Sequence, residues 1–421
     1  MKILLVVGAR PNFMKAGPIT AAIQEHNRRL AAETLPEPIE RVHLVLVHTG
    51  QHYDEAMSDS FFADLRLPQP DVHLGVGSGS HAAQTAEVMR RFEEVLLREK
   101  PDAMVVVGDV NSTVACALVA SKIAFDTKGT RPLIAHVEAG LRSFDRAMPE
   151  EINRIVTDHV SDLLFVTEES GIENLQREGV ASEQIHFAGN TMIDSLLASK
   201  DRADQSRILE SLHLRNQNDG RETPNATCSY ALLTLHRPSN VDDRERFVSI
   251  LEGLEELSNL YPIVFPVHPR TRKQISGLRL EHSLRGIRLV DPLGYLDFLC
   301  LMKNARLVVT DSGGIQEETT CLGIPCITVR DNTERPVTVT RGSNLIAGTS
   351  KERIRRAVRA QLNADRTVLL PEKWDGLAAA RIVATLVGAI ANRKLASTPG
   401  SADSQVPAAA SSTSQDLAET Q

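Results

Sequence analysis

The feature that most constrains this chain is the build of its short β-forming runs. Met104-Val105-Val106-Val107 is apolar at every position, and so is Leu163-Leu164-Phe165-Val166. A strand with one face in water alternates apolar and polar residues; an uninterrupted run belongs in a parallel sheet covered on both faces. The same signal predicts strands at Ile3–Val7, His43–His48, Ala103–Val107, Leu133–His136, Leu163–Val166, Ile185–Phe187, Tyr230–Thr234, Ile263–Pro266, Ile287–Val290, Leu307–Thr310 and Cys326–Val329. Amphipathic stretches lie between them. The clearest is Ala82–Arg98, with Ala83, Val88, Phe92, Val95 and Leu96 at helical spacing. This alternation predicts a doubly wound α/β fold. Ligands of such folds sit outside the carboxyl ends of the strands, so the residues just after each strand carry the functional information.

At 421 residues the chain is too long for one comfortable core. The alternation pauses over Ser195–Ala226, where Asn216-Gln217-Asn218-Asp219-Gly220 and Pro224-Asn225 read as a surface loop. A junction near Asn190–Leu197 then gives two Rossmann-like doubly wound domains facing a central cleft, residues 1–192 and 193–373. A last helix over Gly376–Arg393 lies in a segment, 374–394, expected to pack back across the domains. Residues 395–421 are an Ala/Ser/Gln/Thr tail with too little apolar surface to order, and are expected to be disordered.

Composition excludes several functions. Aromatic residues are 4% and the formal charge is −7, which argues against a nucleic-acid face. The cysteines, Cys116, Cys228, Cys300, Cys321 and Cys326, are odd in number and form no CxxC pair. Neither a disulfide framework nor a metal site is expected. No apolar run approaches the ~20 residues that cross a bilayer, and Met1-Lys2 opens no signal peptide. The expected setting is therefore cytoplasmic, with no membrane partner. Gly75-Val76-Gly77-Ser78-Gly79-Ser80 lacks the leading strand and the third glycine of a dinucleotide fingerprint, so it reads as a turn.

The most informative stretch runs from Asp311 to Pro336. Asp311-Ser312-Gly313-Gly314 follows a buried strand and opens a helix. Paired glycines let backbone approach a ligand, and the free N–H groups of a first helical turn suit a phosphate. Ser312 adds a hydroxyl, Glu318 an acceptor for a ribose, and Arg335 a fixed positive charge. A capped βα turn is the structural alternative. Other strands end in Gly8-Ala9-Arg10-Pro11-Asn12-Phe13-Met14-Lys15, Gly108-Asp109-Val110-Asn111, His136-Val137-Glu138-Ala139-Gly140, His236-Arg237-Pro238 and His268-Pro269-Arg270. Met148-Pro149-Glu150-Glu151-Ile152-Asn153-Arg154 starts a helix, with Glu150 and Arg154 on one face. Asp109 or Glu150 alone would serve as a helix cap. Asp109, Glu138 and Glu150 converging on one cleft edge favour acid–base chemistry.

Taken in order, GARPNFMKAGP, HTGQHYDEAMSDSFF, GDVNST, HVEAGLRS, PEEINR, GNTMID, HRPSNVD, PVHPRTR and DSGGIQEE with RDNTERP make the chain resemble the non-hydrolysing UDP-N-acetylglucosamine 2-epimerases from Met1 to about Arg393. The resemblance implies a fold like glycosyltransferase type B, a homodimer and no redox cofactor. It implies that Arg10, His236, Ser312, Gly313 and Gly314 hold the diphosphate, Glu318 the ribose, and Phe298 the uracil. Arg335 would support the nucleotide pocket. Asp109, Glu138 and Glu150 would form the acid–base set, with Lys15 and Arg154 on the sugar side. Two departures stand out. Ala9 and Asn12 replace a threonine and a glutamate of the familiar bacterial motif. Gln51-His52-Tyr53-Asp54 lacks the arginine of a QHR-type activator motif, which argues against activation by a second substrate molecule. The GARP and TGQHYDEAMS segments also resemble relatives acting on diacetamido-uronic acid sugars. The rival readings are a type-B glycosyltransferase, a hydrolysing epimerase and a non-catalytic sugar-nucleotide sensor.

Overall fold

The computed structural model describes residues 1–32, 40–51, 62, 64–214, 229–278, 280, 284–364 and 368–397. Two parallel sheets organise them. The first contains β1 (Lys2–Val7), β2 (His43–His48), β3 (Val72–His73), β4 (Ala103–Val107), β5 (Leu133–Ala139), β6 (Leu163–Val166) and β7 (Ile185–Phe187), in the order β3-β2-β1-β4-β5-β6-β7. The second contains β8 (Ala231–Thr234), β9 (Ile263–Pro266), β10 (Ile287–Val290), β11 (Leu307–Thr310), β12 (Cys326–Thr328) and β13 (Asn344–Ile346), in the order β10-β9-β8-β11-β12-β13. In both, the order reverses between the first and fourth strands in sequence, the crevice where doubly wound sheets bind ligands.

The continuous apolar runs are explained by their neighbours. Ile3, Leu5 and Val7 of β1 face one core cluster, while Leu4 and Val6 face another. On the second sheet Leu307 and Val309 join one cluster and Val308 the other. These stretches of β1 and β11 are covered on both faces, which is why their residues are apolar without a break.

Helices α1 (Arg10–Ala32), α2 (His81–Glu99), α3 (Asn111–Lys122), α4 (Pro149–Val160) and α5 (Glu169–Arg177) accompany the first sheet, while α6 (Thr191–Ala203) connects the halves, with Ile193 and Leu196 in the cluster of Leu232 and Val308 of the second sheet. In the second, α7 (Tyr295–Asn304) precedes β11 and α8 (Gly313–Leu322) follows it. The last helix, α9 (Ala378–Ser397), returns to the first sheet: Ala379, Ile382, Val383, Leu386 and Ile390 join the core cluster of Ile3, Leu5 and Phe13. Asp194 on α6 receives the N–H groups of Ala378 (3.2 Å) and Ala379 (2.7 Å), capping α9 from the other connecting helix. The two connections also touch where Gly189, at φ +92, leaves 2.1 Å between a notional Cβ and the Lys373 carbonyl oxygen.

Several expectations are corrected in detail. The edge strands β3 and β13 were not predicted, because two or three residues give no readable periodicity. Strand β5 continues past His136 to Ala139, with its register against β6 shifting between Val137 and Ala139. α9 reaches Ser397, so residues 395–397, expected to be disordered, are helical. The rest of the predicted tail, the predicted surface loop at Asn216–Asn225, Cys228 and His52-Tyr53-Asp54 lie outside the described residues. Among the described residues no helix is long and apolar enough to cross a membrane.

Candidate active site

The carboxyl ends of β1, β4 and β5 meet at one edge of the first sheet. The turn after β1 is tied down by Asn12, which is buried. Its Oδ1 accepts the N–H groups of Gly8 (3.0 Å) and Ala9 (3.1 Å), and its Nδ2 donates to the Val107 carbonyl (2.8 Å) at the end of β4. That side chain, one of the departures noted above, joins two strand ends. Arg10 then begins α1; its side chain lies outside the described residues. One turn on, Lys15 reaches Gly108, where a Cβ would sit 2.6 Å from its Nζ. Gly108 is at φ +67, so both its backbone and the approach of Lys15 need glycine.

Glu138 occupies the register shift of β5 with φ +74. A non-glycine residue there costs of order 1–3 kcal/mol and persists only where its surroundings fix it. They do so here. Its carboxylate pairs with Lys15 Nζ and, at 2.8 Å, with Arg335 Nη2 from the second half. Asp109 pairs with Arg154 Nη1. Burial opposes its charge, but Arg154, Lys15 and Arg335 together hold the carboxyl below its usual range. Arg154 turns to Glu151, three residues back, at 2.5 Å, rather than to Glu150. Glu151 also takes the N–H groups of Ser143 and Phe144. Glu150, partly exposed in the first turn of α4, has no hydrogen bond or ion pair among the described residues. It is close enough to Arg237 of the second half to influence that guanidinium.

The second sheet presents different chemistry. Ser312 caps α8 without spending its hydroxyl on the helix, and its N–H goes to Thr310 Oγ1 (3.0 Å). The first-turn amides beginning at Gly313 and Gly314 have no partner within the helix. They lie beside a cation, since a Cβ on Gly313 would be 2.5 Å from Arg335 Nη1. Arg335 is buried against Glu138, Glu317 (2.8 Å) and Glu334 (2.6 Å). Burial works against its charge, yet those carboxylates raise its pKa well above the ordinary value. His236 is half exposed, with Nδ1 2.9 Å from Asp311 Oδ1. Asp311 is wholly buried and also receives the N–H groups of His236 (3.1 Å) and Arg237 (3.0 Å) and Asn240 Nδ2 (3.2 Å). Burial resists its ionisation; the hydrogen bond from His236 and the other donors keep it ionised.

Glu318, on α8, accepts from Tyr295 Oη at 3.0 Å. Burial, with the nearby Glu317 charge, pushes its carboxyl up to about 8. Phe298, half-buried on the same helix as Tyr295, packs with the cluster containing Met192, Ile193 and Trp374. The structure thus gathers Lys15, Asp109, Glu138, Arg154 and Arg335 into one charged group. His236 and Ser312-Gly313-Gly314 lie at the facing strand ends, and the Arg335–Glu138 pair joins the two sides. His268 lies directly before the helix Pro269–Gly277. Sequence reasoning missed Glu151, Glu317, Glu334 and Asn12 as the groups that hold these residues. Glu151 and Glu317 each adjoin a chosen acid in the sequence, and that adjacency was the available signal.

A profile of the family described as UDP-N-acetylglucosamine 2-epimerase matches residues 37–387. A UDP-N-acetylglucosamine 2-epimerase of Methanocaldococcus jannaschii is 43% identical over 371 residues, 87% of this chain and 93% of that one. A UDP-2,3-diacetamido-2,3-dideoxy-D-glucuronate 2-epimerase of Pseudomonas aeruginosa is 42% identical over 367 residues, 86% and 92% of the two chains. A crystal structure of M. jannaschii UDP-GlcNAc 2-epimerase in complex with UDP-GlcNAc and UDP has a TM-score of 0.79 at 41% identity, covering 92% of this chain and all of the other. The Neisseria meningitidis UDP-GlcNAc 2-epimerase bound to UDP-GlcNAc has a TM-score of 0.77 at 28% identity, with 92% and 100% covered.

Proposed function

Because the chain belongs to the UDP-N-acetylglucosamine 2-epimerase family, we propose that it is an isomerase. It would interconvert UDP-N-acetylglucosamine and UDP-N-acetylmannosamine by inverting the second carbon of the sugar. The observation that carries this reading is the convergence of Asp109 and Glu138 on one strand edge facing the Ser312-Gly313-Gly314 turn, with Arg335 joined to Glu138 across the cleft.

The hydrogen on that carbon has no neighbouring carbonyl to acidify it. Loss of UDP makes the anomeric carbon oxocarbenium-like, and the adjacent C–H becomes acidic. A carboxylate removes the proton, leaving a glycal with UDP still bound. Protonation on the opposite face and return of UDP complete the inversion. In this scheme the α8 amides, Ser312, Arg10 and His236 stabilise the departing diphosphate. Asp311 keeps the ring of His236 aimed. Glu318 takes the ribose and Phe298 the uracil. Asp109, Glu138 and Glu150 supply the acid–base groups. Lys15 and Arg154 set their charge and contact the sugar, and Arg335 supports the nucleotide pocket through its carboxylate contacts. No redox cofactor or metal takes part.

Residues 1–192 form the acid–base half and 193–373 the nucleotide half, with 374–394 returning to the first; the packing of α9 supports this division. We place the enzyme in the cytoplasm, as the sequence reading expects, as the homodimer that the family resemblance implies, supplying surface polysaccharide synthesis. A second substrate has specific support: the P. aeruginosa relative is as similar as the archaeal one and is named for a UDP-diacetamido-uronic acid sugar. The test is to incubate the protein with either UDP-sugar in heavy water and follow the sugar by NMR. Deuterium at the second carbon with the epimer appearing is the expected result. Sugar transfer, or no exchange with any UDP-aminosugar, overturns the reading.

A further inference from the structure

His136 lies on β5, two residues before Glu138, and is completely buried. Its Nδ1 is 2.6 Å from Asp158 Oδ1, and its Nε2 is 2.9 Å from the carbonyl oxygen of Gly108, the residue before Asp109. A carboxylate and a peptide carbonyl accept and do not donate, so hydrogen bonds to both require a proton on each ring nitrogen. Asp158 is well supplied with partners. Its Oδ2 receives the Gly140 N–H (3.1 Å) and meets Arg142 Nη2 at 2.7 Å, and Arg142 in turn pairs with Glu178 at 2.7 Å. Asn174 Nδ2 holds the Gly140 carbonyl at 2.9 Å. The group is therefore an alternating row of buried charges, anchored on α4 and α5, whose contacts end on the backbone at Gly108 and Gly140.

Those two points flank the proposed acid–base residues: Asp109 is next to one, and the left-handed Glu138 lies two residues before the other. We infer that His136, held as an imidazolium between Asp158 and the Gly108 carbonyl, is a positioning residue that fixes the spacing of Asp109 and Glu138. It touches no substrate and acts through backbone. The inference rests on the epimerase reading for its kinetic consequence, but the charge state of the ring does not.

Two measurements test it on the full chain. In protein labelled with 15N-histidine, the assigned His136 ring at neutral pH shows both nitrogens protonated, with or without UDP. A neutral ring, with one bare nitrogen, overturns the inference whatever the enzyme does. In the variant His136→Gln, which keeps a donor for the Gly108 carbonyl but loses the charge, kcat for deuterium exchange falls roughly 10–100-fold, the size of a small misplacement of reacting groups. KM and UDP affinity stay within about threefold, since backbone spacing and not binding is altered. Unchanged kcat, or a loss confined to KM, removes the positioning role. If His136→Gln does not fold, Asp158→Asn is read in the same way. If the unaltered protein exchanges no deuterium, the epimerase reading fails while the ring measurement still decides the charge state.

Discussion

The two sheets share one strand order over six strands, the first adding a seventh, and solve the same problem from opposite sides. In each, the turn after the central first strand must be tied to the end of its neighbour. In the first half Asn12, on the helix after β1, receives the amides of its own turn and donates to the end of β4. In the second half the tie comes from the neighbour: Asp311, after β11, receives the amides of His236 and Arg237 after β8. Asp311 is the first residue past β11, where the first half has Gly108, and Asp109 is the second residue past β4. Asp311 is buried and spent on the tie; Asp109 is left facing the cleft because an uncharged asparagine already does that work. On the proposed function, the difference divides the reaction between the halves: the one with the neutral tie keeps its carboxylate for proton transfer, and the one with the anionic tie orients a histidine and offers its glycines to an anion.

The strongest test of that division is Asp109→Asn. Epimerisation should fall at least ~100-fold with UDP binding near normal, and Glu138→Gln should lower it by about 1,000-fold, both within the range of general acid–base contributions. Isotope exchange and UDP titration measure the two separately; a shared loss of UDP affinity would erase the contrast. Next, Asp311→Ala removes the acceptor of several buried donors and should cost about 3 kcal/mol in urea unfolding, with UDP affinity also reduced. Asn12→Ala should cost stability while sparing UDP affinity.

A smaller effect concerns Glu168, buried beside Glu317, whose carboxyl burial pushes up to about 7. A raised acid holds its proton in the folded state after the unfolded chain has lost it, so stability falls as pH rises from about 4.5 towards 7. Between about pH 4 and pH 6 this amounts to about 2 kcal/mol, and Glu168→Gln should flatten that part of the curve of unfolding free energy against pH. The smallest is Tyr295→Phe. Loss of its hydrogen bond to Glu318 should cost about 1 kcal/mol of stability and leave the acid–base half untouched.

Most of the fold was legible because burial on both faces imposes apolar runs, and β2, β4, β6, β9 and β11 fall where those runs lie. Strands β3 and β13 were hidden by their shortness. The candidate site was legible as positions after strands, since doubly wound sheets place their ligands there. Its internal pairing was not. That Arg154 meets Glu151 and Asp109, and that Arg335 crosses to Glu138, depends on long side chains reaching between elements far apart in sequence. The bulge at Glu138 was unreadable for a related reason: nothing in His-Val-Glu-Ala-Gly announces a left-handed glutamate, which its buried partners impose.

The twin connections at Gly189 and Lys373 have a mechanical consequence. A lone linker would leave the lobes free to turn about it, whereas two abutting linkers, one capping the other's helix through Asp194, restrain them at two points. In the proposed reaction that restraint would keep the Asp109 and Glu138 edge opposite the Ser312-Gly313-Gly314 turn while the elimination product is held between them.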